Sequence, residues 1–136
     1  MRRWVAILLA LNLAGCAAVT RPAPSPCLVG QEHLRTAQLF LGRKAADWPV
    51  TEPELRRFVD QEITPRFPDG VTVLDGGGQW SGPQDQMMRD AAKVVMIILP
   101  AKGDILAKID AVRAAYQTQF KQETVLQVTQ PACVAF

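Results

Sequence analysis

Apolar residues recur along this chain in two rhythms, and the order in which those rhythms alternate predicts a fold. Over residues 33–42, Ala37, Leu39 and Leu41 share one side while Gln38 and Phe40 share the other. That period of two is expected of a half-buried strand. Residues 43–49 form a connection, with Trp48 read as a lid at the edge of the core. From Thr51 the period lengthens. Thr51 and Glu54 have the spacing of a capping box, and Val50 and Leu55 occupy the positions of a hydrophobic staple. Leu55, Phe58, Val59 and then Glu62 or Ile63 follow at helical steps. Pro65 has no amide hydrogen and restricts Thr64, so the helix is expected to end at Ile63 or Thr64.

Pro68, Asp69 and Gly70 are turn-formers, after which Val71 to Leu74 begin a second strand. It is expected to resume across Gly76, Gly77 and Gly78 and to end near Trp80, the glycines permitting a bulge or a close backbone approach. Residues 81–85 read as a surface turn. The return strand covers 93–99 and starts as early as Gln86. Its sequence KVVMIIL is apolar on both faces, which marks a central strand. Asp104 is a candidate N-cap for a second helix, whose Ile105, Ile109, Val112, Tyr116 and Phe120 make one apolar stripe. Residues 123–129 alternate again, and Pro131 argues for an edge strand or a break, with 133–136 as a short extension.

Strand, helix, strand, strand, helix, strand is the order of an α+β, ferredoxin-like β-α-β-β-α-β sandwich, with two helices on one face of a four-stranded antiparallel sheet. The first and last strands are then neighbours. The helices cover one face only, so Phe40, Leu74, Val125 and one set of residues from 94–99 are expected to line the other. An apolar face of that kind calls for a partner, a small ligand or a second copy of the chain, and a homodimer through the open face is one such solution.

Composition changes this picture chiefly at the N-terminus. Residues 1–16, MRRWVAILLALNLAGC, carry two arginines, an apolar run and then small residues. An apolar run of about 12 residues is too short to cross a bilayer of about 30 Å as a helix, so the segment reads as a signal peptide over residues 1–15. Leu13, Ala14, Gly15 and Cys16 resemble the lipobox of bacterial lipoproteins. By that resemblance Cys16 is acylated and tethers the chain to membrane lipid, in the cell envelope and on the periplasmic side of the outer membrane. Residues 16–32, with Pro22, Pro24 and Pro26, read as the lipidated cysteine and an extended tether, which leaves 33–136 as a single domain. Loss of Arg2 and Arg3 lowers the basic count from 15 to 13, equal to the 13 acidic residues, and a neutral domain opposes nucleic-acid binding.

Cys27 and Cys133 lie near opposite ends of the exported chain and favour a disulfide; a metal or catalytic role is the weaker reading, because His33 is the one residue at hand to assist. No metal and no cofactor is expected. The residues with most chemical potential cluster around the second strand. Arg66 offers a bidentate fork for a carboxylate or phosphate, or else a structural ion pair to Asp69, Asp75 or Asp90. Asp75 at a strand exit is a candidate base. Gln79 and Trp80 can line a ligand cleft or simply close the core. No nucleophile with an adjacent base is evident.

The segments TPRFPDG at 64–70, VTVLDGGGQW at 71–80, LFLG at 39–42 and QPACVAF at 130–136 together resemble the DUF3574 family, small bacterial proteins many of which are lipoproteins. Asp90 after Arg89 matches the family's acidic position with a shorter side chain, while Gly76 to Gly78 depart from its bulkier residues. The resemblance implies no established activity. Two functions follow as expectations: an exported envelope lipoprotein with a non-catalytic binding or structural role, or a small enzyme with a cleft near the end of the second strand.

Overall fold

The structure is a computed structural model that describes residues 26–44 and 48–136; residues 1–15, expected to be a signal peptide, Cys16 and the first part of the expected tether lie outside the described residues. The elements are β1 (Glu32–Gly42), α1 (Glu52–Phe58) running into a π turn (Val59–Ile63), β2 (Val71–Ser81), β3 (Met87–Leu99), α2 (Ile105–Phe120) and β4 (Leu126–Val134). The sheet order is β2-β3-β1-β4, and each neighbouring pair is antiparallel. This is the ferredoxin-like arrangement expected from the alternation of periods.

Helix α1 starts where its cap chemistry dictates. The Glu54 amide donates to Thr51 Oγ1 at 3.4 Å, and the Thr51 amide donates to Glu54 Oε2 at 2.8 Å. Hydrogen bonds from Thr51 hold the Glu54 carboxyl below its ordinary pKa. Past Phe58 the helix widens, and the Thr64 amide reaches back to the Val59 carbonyl at 2.9 Å. Ile63 follows Phe58 by five residues, and the wider turn keeps both side chains in the core, at 0% and 1% exposure. The helical segment therefore ends near the place Pro65 predicts, by a different geometry.

Asp104 caps α2 by accepting from the Ala107 amide at 3.2 Å, and Ile109, Val112, Tyr116 and Phe120 are buried against the sheet. Phe58 meets Tyr116 edge-on with ring centroids 5.0 Å apart, and Tyr116 lies 4.7 Å from Phe120. The first of these contacts joins α1 to α2, and each adds about 0.5–1.5 kcal/mol to the area buried. The helix-facing side of the sheet supplies Ala37, Leu39 and Leu41 from β1 and Val95, Ile97 and Leu99 from β3.

Two local expectations need correction, and the alternatives left open at Pro131 resolve to an edge strand. The triple glycine makes no bulge: β2 pairs with β3 without interruption from Val71↔Ile97 to Ser81↔Met87. Pro131 does not break β4, which runs through it opposite Arg35. β4 is an edge strand, where alternate amides point away from the sheet and proline removes no ladder bond. Val125 does not line the open face. It lies fully buried beneath the helices, and Leu126 and Val128 take the open face opposite Phe40 and Gln38.

Candidate functional site

The β2–β3 ladder places odd-numbered residues of β2 on the helix side and even-numbered ones on the open side, because Val71 pairs with the buried Ile97. Asp75 and Gln79 therefore share one side of the sheet, and Leu74 and Trp80 share the other. Arg66 lies apart from them, just beyond the π turn. The four candidate residues do not converge on one cleft.

Each has a local explanation. Arg66 Nη1 donates to Glu62 Oε2 at 2.9 Å and to the Glu62 carbonyl at 2.5 Å. The ion pair expected with Asp69, Asp75 or Asp90 is thus replaced by one four residues back along the same helical segment, where spacing alone brings the groups together. Gln79 Oε1 accepts from Arg89 Nε across the strands at 3.0 Å. Trp80 is about half exposed, and a shallow depression of about 310 Å³ lies beside it, lined also by Gln79, Ser81, Asp85 and Met87.

Asp75 belongs to the most developed polar cluster of the domain, and its centre is Lys93. Lys93 Nζ lies 2.7 Å from Asp75 Oδ1 and 3.0 Å from Glu52 Oε2, with its side chain only 9% exposed. Arg43 Nη1 approaches Glu52 at 3.6 Å, while Arg43 Nε donates to the Val50 carbonyl at 3.0 Å. The hydrogen bond from Lys93 holds the Asp75 carboxyl below its ordinary pKa, and the bonds to Asp75 and Glu52 raise that of Lys93. A carboxylate stabilised in this way is a weak base, so the arrangement opposes the general-base role considered for Asp75. Nearby, the Tyr116 hydroxyl donates to the Gly42 carbonyl at 2.9 Å, and burial pushes its pKa up to about 12.

In the sequence Lys93 is hidden as the first residue of an otherwise apolar strand. A signal is present: its parity points it toward the helices, where a lysine needs carboxylates, and among the described residues Asp75 and Glu52 supply them.

Cys27 and Cys133 form the expected disulfide, with Cα atoms 5.4 Å apart. His33 pairs directly with Cys133 across β1 and β4. Its Nε2 accepts from the Cys27 amide at 3.3 Å, and its Nδ1 lies 3.1 Å from Cys27 Sγ. Cys27, His33 and Cys133 bring three potential metal-ligand atoms within 4.8 Å of one another, but both sulfurs are committed to the disulfide. No helix among the described residues is long and apolar enough to cross a membrane.

The family model described as "Protein of unknown function (DUF3574)" matches residues 36–136. No curated protein matches the chain by sequence. Among solved structures, a phage SAM lyase in complex with S-methyl-5'-thioadenosine is similar at a TM-score of 0.56 and 17% identity, over 82% of this chain and 95% of that one. The phage SAM lyase in its apo state gives 0.56 and 20% identity, over 84% and 97%. CutA from Synechococcus elongatus PCC7942 gives 0.49 and 12% identity, over 74% and 78%. At 17–20% identity the likeness to the lyase is one of fold.

Proposed function

We propose, starting from the fact that the chain belongs to the DUF3574 family, that it is an exported envelope lipoprotein whose folded domain has a non-catalytic binding or structural role. One observation carries the reading: Arg66, Asp75 and Gln79 are each held by a partner of their own, Glu62, Lys93 and Arg89, and none shares a cleft with the others. An active site needs reactive groups aimed at a common point, with pKa values shifted toward the working pH. Here the one shifted carboxylate among the candidate residues moves away from it.

Export and anchoring rest on the lipobox-like Leu13 to Cys16 and on a disulfide suited to an oxidising compartment. On this reading Cys16 carries the lipid, and the domain stands on the periplasmic side of the outer membrane. Binding falls to the uncovered face of the sheet, where Phe40, Leu74, Trp80, Leu126 and Val128 offer an apolar surface to an envelope protein or a small ligand.

The enzyme alternative draws on the phage SAM lyase, which is solved in complex with S-methyl-5'-thioadenosine. A thermal-shift titration of the whole chain with S-methyl-5'-thioadenosine separates the two readings. No shift in melting temperature is expected; saturable stabilisation abolished by Trp80→Ala would turn the assignment toward a ligand cleft. Replacing Cys16 by serine is expected to move the protein out of the membrane fraction, and unchanged lipid labelling would overturn the anchor.

A further inference from the structure

Among the described residues strand β2 is an edge of 11 residues with no neighbour on its outer side, and it lacks the usual defences against pairing. Edge strands are normally blunted by proline, lysine, a bulge or shortness. β2 contains no proline, no lysine or arginine, and its ladder to β3 has no bulge. Its one charge, Asp75, is already matched by Lys93 at 2.7 Å. It also holds three conspicuously exposed apolar side chains: Val73 at 40%, Leu74 at 49% and Trp80 at 48%. The opposite edge, β4, by contrast carries Pro131, which has no amide hydrogen to offer a further strand.

We infer that β2 pairs antiparallel with β2 of a second copy of this chain, about a two-fold axis normal to the sheet that passes between the two Gly77 residues. In that register the segment is complementary to itself. Gly76 faces Gly78 of the partner copy, Asp75 faces Gln79, Leu74 faces Trp80, and Val73 faces Ser81. Leu74 and Trp80 lie on the open side, so an aliphatic residue meets an indole twice across the seam. Asp75 and Gln79 lie on the helix side and have the right groups to spare. Asp75 uses Oδ1 toward Lys93, and Gln79 uses Oε1 toward Arg89. The second carboxylate oxygen and the amide hydrogens can therefore meet, extending one polar row from Lys93 of one copy to Arg89 of the other. Moving the axis two residues to Asp75 would oppose two carboxylates, so charge selects against that register. Because β4 is unsuited to the same contact, pairing closes at two copies and gives one eight-stranded sheet with all helices on one side.

The inference goes beyond the proposed function and does not depend on the anchor. It gives a common role to Asp75, Gln79 and Trp80, which the single chain leaves divided between two faces.

Cysteine scanning of the full chain in detergent tests both the contact and its register. A Cβ at Gly77 meets only the Asp90 carbonyl oxygen, at 3.9 Å, so Gly77→Cys is accommodated. Directly opposed residues of an antiparallel pair lie about 4.5–5.5 Å apart at Cα, within disulfide range. Gly77→Cys is expected to form a covalent dimer on mild oxidation, with the unsubstituted chain as control. Gly78→Cys alone should not, but should cross-link to Gly76→Cys when the two are mixed. Light scattering of the unsubstituted chain should report a dimer, and Leu74→Lys should shift it to monomer while its circular dichroism is unchanged. A monomeric unsubstituted chain, or self-linking at Gly78 in place of Gly77, would overturn the inference.

Discussion

Removing the covalent link between Cys27 and Cys133 tests how the two ends of the sheet are held. The cysteines are 106 residues apart, and the loop they close contains all of β1, both helices, β2, β3 and most of β4. Cross-linking a loop of this length lowers the entropy of the unfolded chain by an amount worth about 4.7 kcal/mol at room temperature. The folded state loses little in return. Cys133 is exposed, neither sulfur belongs to the buried cluster, and the β1–β4 ladder from Glu32↔Val134 to Phe40↔Leu126 does not require the bond. The paired variant Cys27→Ser, Cys133→Ser is therefore expected to fold to the same secondary structure and to unfold at much lower temperature. For a domain of about 100 residues, 1 kcal/mol corresponds to about 4–8 °C, so the melting temperature should fall by about 20 °C or more. Calorimetry with parallel urea titrations measures this, and the urea slope should rise because the unlinked chain exposes more surface when unfolded. A fall of less than about 5 °C with an unchanged slope would refute the reasoning, since it would mean the staple does not constrain the unfolded ensemble.

Other substitutions probe particular features. Val125→Ala should cost about 2 kcal/mol and Leu126→Ala less than about 1 kcal/mol in chemical denaturation, because only the former side chain is fully buried. Tyr116→Phe deprives the Gly42 carbonyl of its donor and should cost about 1–2 kcal/mol by the same assay. Thr36→Val should stabilise by about 1 kcal/mol, since Thr36 Oγ1 is buried and meets no hydrogen-bond partner among the described residues. Stability followed by urea midpoint should fall at both ends of the pH range. The lowered carboxyls of Asp75 and Glu54 contribute fully above their ordinary values of 3.8 and 4.5, and this is lost as pH falls through the lower folded values. Lys93, raised above 10.5, contributes fully below that value and loses its contribution as pH rises through the folded one, while Tyr116 acts in the same direction between 10.0 and about 12. A Lys93→Met, Tyr116→Phe variant should lack most of this alkaline loss.

Much of the architecture is legible in the chain because the two apolar periods are clean where one face alone is buried. Ala37, Leu39 and Leu41 in β1 and the stripe from Ile109 to Phe120 in α2 are such places. β4 is different. Val125, Leu126 and Val128 put apolar residues on both parities, and the side turned inward is settled by pairing to β1, with Leu126 opposite Phe40. The π turn lies in the five-residue step from Phe58 to Ile63, which a reading in threes and fours does not register. The site was harder to read for a related reason. Nearness in sequence makes Arg66, Asp69 and Asp75 look like a cluster, whereas a strand sends neighbours to opposite faces and a helical turn offers Arg66 a closer carboxylate in Glu62. Lys93 and Glu52, 41 residues apart, meet only through the fold.

The β2–β3 hairpin continues past the end of β1, whose last register partner is Gly42 opposite Ala92, while the chain enters the fold beside Cys133 at the other extremity of the same sheet. The distance along β3 from the level of Arg35 to the turn is roughly 40 Å at about 3.4 Å per residue. Whatever holds the polypeptide upstream of Cys27 thus grips one pole of an elongated body. The hairpin turn is the opposite pole, the part carried furthest from the point of attachment and the first to meet anything approaching from beyond it.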